Sequence, residues 1–320
     1  MKKALIITGI ILTVSGIRLV AAAIAISAGD FSLLTAKDYK TSTYTTAGDF
    51  SNISIESKET NIEFKLSADS GVSVVCTEKN RLGHTVTTQN GTLKIADIDE
   101  REWYDYFSFF SQNLTMTVYL PKTQYESIKV DSHTGNIRLD SPFSFTNAEV
   151  KASTGNVTVS AGVSEKLNVK TSTGNIKIKN TKAGKMELSV STGNILAESV
   201  ECEGDISVNV STGKTEFYDV TCKNFYSNGS TGNITVKDVV ASGQFEFERS
   251  TGNVRFDNSD AENISVKTST GNVTGTLRTK KVFITDSSTG RINVPETTSG
   301  GRCKITTSTG NIDIKLSNIE

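Results

Sequence analysis

The chain has 320 residues and a formal net charge of −1, and no run of lysine or arginine stands out, so neither nucleic acid nor an anionic lipid surface has an electrostatic claim on it. Four cysteines without a Cys-x-x-Cys pair, and two histidines as far apart as His84 and His133, argue against a dedicated metal site; no cofactor is indicated. Three prolines and 25 glycines, with Thr, Ser, Val, Ile and Asn prominent, favour β structure over helices.

Residues 1–28 stand apart. Lys2 and Lys3 precede an apolar run from 4 to about 28, interrupted by Arg18. About 20 apolar residues span a bilayer, which predicts a membrane helix with its N-terminus inside and the rest of the chain outside. Arg18 in mid-span costs ~2.5–3.5 kcal/mol on insertion scales, so a cleaved signal peptide is the alternative, with an apolar core over 4–17 and small residues at 21–25. Either way the body leaves the cytoplasm, as a single-pass membrane protein or as a secreted one. Residues 29–48 read as a polar connector.

Between 49 and 127 the pattern is irregular β. "NISIESKETNIEFKL" (52–66) and "QNGTLKIAD" (89–97) alternate apolar and polar residues, and "GVSVVCTEKN" (71–80) and "NLTMTVYLPK" (113–122) read as further strands. "DEREWYDYFSFFS" (99–111) breaks the alternation and gathers Trp103, Tyr104, Tyr106, Phe107, Phe109 and Phe110. It is expected to cover the open end of a sheet, or else to dock a partner or a membrane surface.

From 128 onward the chain repeats. Gly135, Gly155, Gly174, Gly193, Gly213, Gly232, Gly252, Gly271, Gly290 and Gly310 are spaced by 19 or 20 residues. A fixed period of this size marks a solenoid, because one turn cannot bury its own apolar face. Two residues after the glycine stands Ile or Val in nine of ten copies, with Thr215 the exception. Apolar residues also dominate four after, seven before and five before it, as in Ile178, Leu167 and Val169. That is period-two alternation on both sides of a tight turn, two short strands per coil with a third, less regular side. An all-β parallel β-solenoid (β-helix) of 19–20-residue coils over 128–320 follows, preceded by one hydrophobic helix.

Each glycine sits in Ser-Thr-Gly-Asn or a close variant. Glycine permits positive φ at a corner, Asn tolerates left-handed geometry and bonds its own backbone, and stacked Ser and Thr can form ladders. An exposed Ser/Thr face that binds sugar, ice or a partner is the second reading. Cys202 and Cys222 lie one coil apart, near bridging distance but offset by one residue relative to their corners, so a disulfide is one option. Cys76 and Cys303 occupy alternating apolar positions and read as core thiols. Asp205, Asp219, Asp238, Asp257 and Asp260 are scattered over the repeat, and no catalytic arrangement of Ser, Cys or His is supported; a carbohydrate-active β-helix enzyme would need carboxylates gathered on one face.

"GDFSLL" (29–34), "NISIESKETNIEF", "NGTLKIADIDEREWYDYF", "VYLPKTQYESIKVDSHTGNI" (118–137) and the train of "STGNI" coils together resemble the putative-adhesin family of bacterial envelope proteins, a domain of unknown function. The resemblance covers about 40–320 and implies membrane-tethered or secreted β-solenoids, some associated with envelope-stress signalling, with no catalytic residues to carry over. The expectation is therefore a non-enzymatic envelope protein presenting a rigid solenoid as an adhesive, scaffolding or sensing surface. Its partner would be an envelope protein or glycan. The last coil, "STGNIDIKLSNIE", is expected to leave a strand edge through which copies could self-associate.

Overall fold

The computed structural model describes residues 39–46, 49–68, 71–79, 81–101 and 114–317. The apolar segment 1–28, most of the connector and the aromatic residues 103–110 lie outside them. The described residues form 24 β-strands joined in one continuous sheet wound into a solenoid.

Coils stack in parallel and in register. In the coil around Gly174, Leu167 and Val169 pair with Ala148 and Val150 on one side and with Met186 and Leu188 on the other. Successive residues then fall into columns about 4.8 Å apart, and the inward columns supply the core. Ile206, Val208 and Val210 are each at most 1% exposed, while the intervening Ser207 and Asn209 face outward. Each such aliphatic side chain contributes about 1.5–3 kcal/mol of burial free energy, so a thin core is extended coil by coil.

The third side is more regular than its sequence suggests. Strands β13 (Ile176–Thr192), β18 (Ile234–Thr251) and β19 (Val254–Thr270) run through it without a break. They turn at a second corner, where Asn180, Ser199, Asp219, Asp238 and Asn258 have φ between 46° and 55°. All five stand six residues after a corner glycine. Asp219 and Asp238 are thus aligned rather than scattered, because short polar side chains tolerate the left-handed conformation. Ser199 Oγ donates to Asp219 Oδ2 at 3.0 Å, and Asn258 Nδ2 to Asp238 Oδ1 at 2.6 Å.

The order of the coils departs from the order of the sequence at both ends. β19 and β20 (Val273–Leu277), which flank Gly271, pair with β23 (Gly301–Thr309) and β24 (Ile312–Leu316), which flank Gly310. β21 (Lys281–Thr289) and β22 (Ile292–Asn293), flanking Gly290, pair with the far side of β23 and β24. The last coil in sequence is therefore enclosed, and the Gly290 coil forms the end of the stack, contrary to the expectation of an open final coil. Gly300 and Gly301 make this insertion possible: a Cβ on Gly300 would lie 1.9 Å from Lys280 O, and one on Gly301 would lie 1.6 Å from Glu262 O.

The other end does the same. β2 (Asn52–Ser57) and β3 (Asn61–Leu66) form a complete coil directly against β8 (Gln124–Thr134) and β9 (Ile137–Leu139). β6 (Thr92–Asp99) and β7 (Thr115–Leu120), later in sequence, stack on its outer side. Antiparallel strands then cover that outer rung. β5 (Leu82–Gln89) pairs with β6, β4 (Val72–Lys79) with β7, and β1 (Tyr39–Thr46) with β4.

Candidate functional site

The ten predicted glycines form one column with φ from 133° to 158°. A Cβ on Gly193 would sit 1.9 Å from Gly174 O in the neighbouring coil. Close stacking of corners, as much as the φ value, therefore requires glycine. Asn acts between coils instead of within its own turn. Asn175 Oδ1 accepts the Asn194 N–H at 2.9 Å, Asn156 Oδ1 accepts that of Asn175, and Asn311 Oδ1 accepts that of Arg291. Arg291 departs from the pattern at little cost, since its coil is outermost and no later backbone needs an acceptor there. The two residues before each glycine are exposed in all ten coils, Ser-Thr in nine and His133-Thr134 in the first.

Cys202 and Cys222 do share a column: Glu201 pairs with Thr221 one position earlier, so the one-residue offset is absorbed. Both are free, buried thiols, so the disulfide option is not realised. Cys202 Sγ instead points toward the carbonyls of Gly184 and Gly204, at 3.6 Å each. Cys76 and Cys303 are fully buried core thiols.

The informative positions are those that break the repeat. Three residues before the glycine the column reads Ser132, Ala152, Thr171, Val190, Val210, Gly229, Arg249, Thr268, Ser287 and Thr307. Arg249 is its one charged member and is only 2% exposed. Its guanidinium reaches back over two coils, donating through Nη2 to Thr215 Oγ1 at 2.9 Å and to Ser227 Oγ at 3.0 Å, and through Nη1 to Glu248 O at 2.9 Å. Thr215 replaces the usual Ile or Val, Ser227 replaces an apolar residue, and Gly229 removes a side chain whose Cβ would lie 3.0 Å from Arg249 Nη1. Three further exceptions thus converge on one buried cation. Phe217, Phe225, Phe245, Phe247 and Phe256 fill the core of the same coils, with centroids 4.5–6.2 Å apart.

No carboxylate pairs with Arg249 among the described residues, and its Nε has no hydrogen-bond partner. Burial lowers its pKa to about 10, which still leaves it charged at neutral pH. Above it runs a surface groove of about 480 Å³, lined by Asn209, Asn228, Gly229, Arg249, Lys267 and the corner serines Ser211, Ser230 and Ser250. Glu248, the single acid of the groove, is matched by Lys267 at 3.0 Å. A desolvated guanidinium beneath a polar, acid-neutralised groove is suited to an anionic group. Tabulating the column three before the glycine would have exposed Arg249 in the sequence.

A second cluster lies in the antiparallel region. His84 is held between Glu78, with Nδ1 3.1 Å from Oε1, and Asp97, with Nε2 3.4 Å from Oδ1. Glu78 also accepts hydrogen bonds from Ser42 and Tyr44 of β1. Burial opposes ionisation of Glu78, yet these donors and His84 hold its pKa down at about 2, while burial raises that of Asp97. The sequence did not bring these residues together, because they come from three strands. The imidazole is 0% exposed and both carboxylates at most 3%, so no substrate reaches it, and the cluster ties β1 to β4 and β6.

No curated protein is detectably similar to the chain. Among solved structures it resembles a putative lipid binding protein from Parabacteroides distasonis ATCC 8503 (15% identity over 88% of this chain and 98% of that one, TM-score 0.51). It is also similar to a putative adhesin from Bacteroides fragilis NCTC 9343 (14%, 87% and 98%, TM-score 0.47) and to one from Parabacteroides merdae ATCC 43184 (14%, 77% and 98%, TM-score 0.45). Residues 50–207 and 201–319 each match the same domain, and the chain belongs to the Toastrack DUF4097 family, the putative-adhesin family of unknown function.

Proposed function

We propose that the protein is a non-enzymatic envelope rod, tethered by residues 1–28 and projecting its solenoid outside the membrane, where the groove over Arg249 binds an anionic group of an envelope polymer. The observation that carries this reading is the buried Arg249 guanidinium, unpaired with any carboxylate among the described residues and lying beneath an open polar groove. Leaving a charge uncompensated in a core costs several kcal/mol. A ligand carboxylate, sulfate or phosphate would offset that cost and supply the missing partner. The rest of the rod then serves as a stiff spacer.

The test is retention of the full chain, in detergent micelles, on immobilised polygalacturonate against neutral dextran. Arg249→Met is expected to lower retention on the acidic matrix at least tenfold at physiological salt. Equal retention on both matrices, or no loss in the variant, overturns the reading. Protease treatment of intact cells tests the orientation: the solenoid is digested only if it lies outside.

A further inference from the structure

The inserted Gly310 coil leaves β21 as the terminal strand of the stack, and among the described residues β21 pairs with β23 alone. Among the described residues its outer backbone edge has no partner, and its exposed apolar residues stand at that end: Val282 is 37% exposed, Ile284 45% and, across the corner, Ile292 41%. Such an edge is a template for strand addition. At the opposite end β5 and β4 pair with β6 and β7, and β1 pairs with β4, so among the described residues β1 is the edge strand there. The exposed side chains of β1 (Lys40, Thr41, Thr43, Thr45) and of β5 (Thr85, Thr87, Gln89) are all polar, so the apolar edge of β21 is matched better by its own copy than head to tail.

The residues of β21 suit that match. Along the strand Val282, Ile284 and Asp286 face outward, Lys280 just before it is exposed, and Phe283 faces the core column. An antiparallel, two-fold pairing centred on Phe283 sets Lys280 opposite Asp286 of the second copy, twice by symmetry. Val282 then stands opposite Ile284, and the two Phe283 side chains meet over the open core ends. Moving the centre to Ile284 would place Asp286 against Val282 and leave Lys280 without a counter-charge. Cross-strand ion pairs and apolar pairs of this kind select one register, and a two-fold contact closes upon itself.

We infer that two copies of this chain join end to end through antiparallel pairing of β21 about Phe283, making a rod of twice the length with β1 at each outer end. The experiment is sedimentation equilibrium of the full chain in density-matched detergent micelles. The wild type is expected to be a dimer in reversible equilibrium with monomer. Asp286→Lys and Lys280→Asp are each expected to weaken it at least tenfold, by placing like charges opposite one another, and the double variant Lys280→Asp/Asp286→Lys is expected to restore it. A wild type that stays monomeric at the highest concentration overturns the inference. So do single reversals without effect, a double variant that fails to recover, or filaments longer than a dimer. The readout is mass, so it is independent of whether the Arg249 groove binds a ligand.

Discussion

Lys281 Nζ stands 2.7 Å from Asp260 Oδ1, with both side chains under a tenth exposed, in coils separated by the one that begins at Gly301. Asp260 also accepts the backbone N–H of Ala261 at 2.8 Å and of Thr279 at 2.6 Å. The pair fastens the outermost coil across the inserted one, where Gly300 and Gly301 put no side chain in the way. Removing one partner strands a buried charge. Asp260→Ala is expected to lower unfolding free energy by about 3–5 kcal/mol, whereas Asp260→Leu/Lys281→Met costs no more than about 1 kcal/mol. Urea denaturation of the two variants checks this, and equal losses would refute the role of the pair.

Two glycine substitutions separate backbone conformation from stacking. Gly91 has φ of 70° and nothing within 4 Å of an added Cβ, while Gly193 has φ of 142° and Gly174 O at 1.9 Å. Gly91→Ala is expected to cost about 1–2 kcal/mol from its left-handed backbone. Gly193→Ala must also push two corners apart, and a loss of at least about 3 kcal/mol is expected. The measurement is the shift in denaturation midpoint, and similar shifts would show that the corners do not need close contact.

Glu78 predicts an acid-sensitive end of the rod. Its folded pKa of about 2 lies below the ordinary 4.5, so its contribution is fully present above pH 4.5 and is lost as pH falls from 4.5 toward 2. Asp97, shifted upward, works in the opposite sense, and Lys40 lies 3.4 Å from Glu78 on the solvent side. Comparing Glu78→Gln with the wild type isolates the Glu78 share. The variant is expected to be less stable by up to ~3 kcal/mol at pH 7, and the gap should shrink toward pH 3. A gap that does not change with pH rules out the ionised carboxylate as its source.

Arg249 trades stability for a charge. Replacing the cluster by Arg249→Met/Thr215→Val/Ser227→Ala removes a buried cation together with the hydroxyls that solvate it. Exchanges of this kind are neutral or stabilising by about 1–4 kcal/mol. The triple variant is expected to unfold at a higher temperature than the wild type, and calorimetry decides. A large loss of stability would mean that Arg249 is there to hold the coils together.

The repeat was legible because its causes are local. "TSTGNIKIKN" (171–180) contains an inward alternation at Ile176 and Ile178 and a corner at Gly174, and both are where the pattern puts them. The role of Asn175 was only half legible: its place at the corner was evident, but its acceptor oxygen serves the next coil. The Arg249 cluster and the His84 cluster were not legible as sites. Arg249 meets Thr215 from 34 positions earlier, and His84 meets Asp97 only because β4, β5 and β6 fold together at the capped end.

By itself the sequence determined the period, the two-strand coil, the glycine corners and which side chains face inward, since alternation and glycine's φ are properties of short stretches. Only the tertiary structure decided which coil lies beside which. Every coil presents nearly the same hydrogen-bonding edge and the same apolar columns, so backbone pairing alone hardly distinguishes one neighbour from another. The choice falls to contacts between residues distant in sequence, such as Lys281 with Asp260 and Gly301 against Glu262. Those contacts enclose the last coil and turn β21 outward.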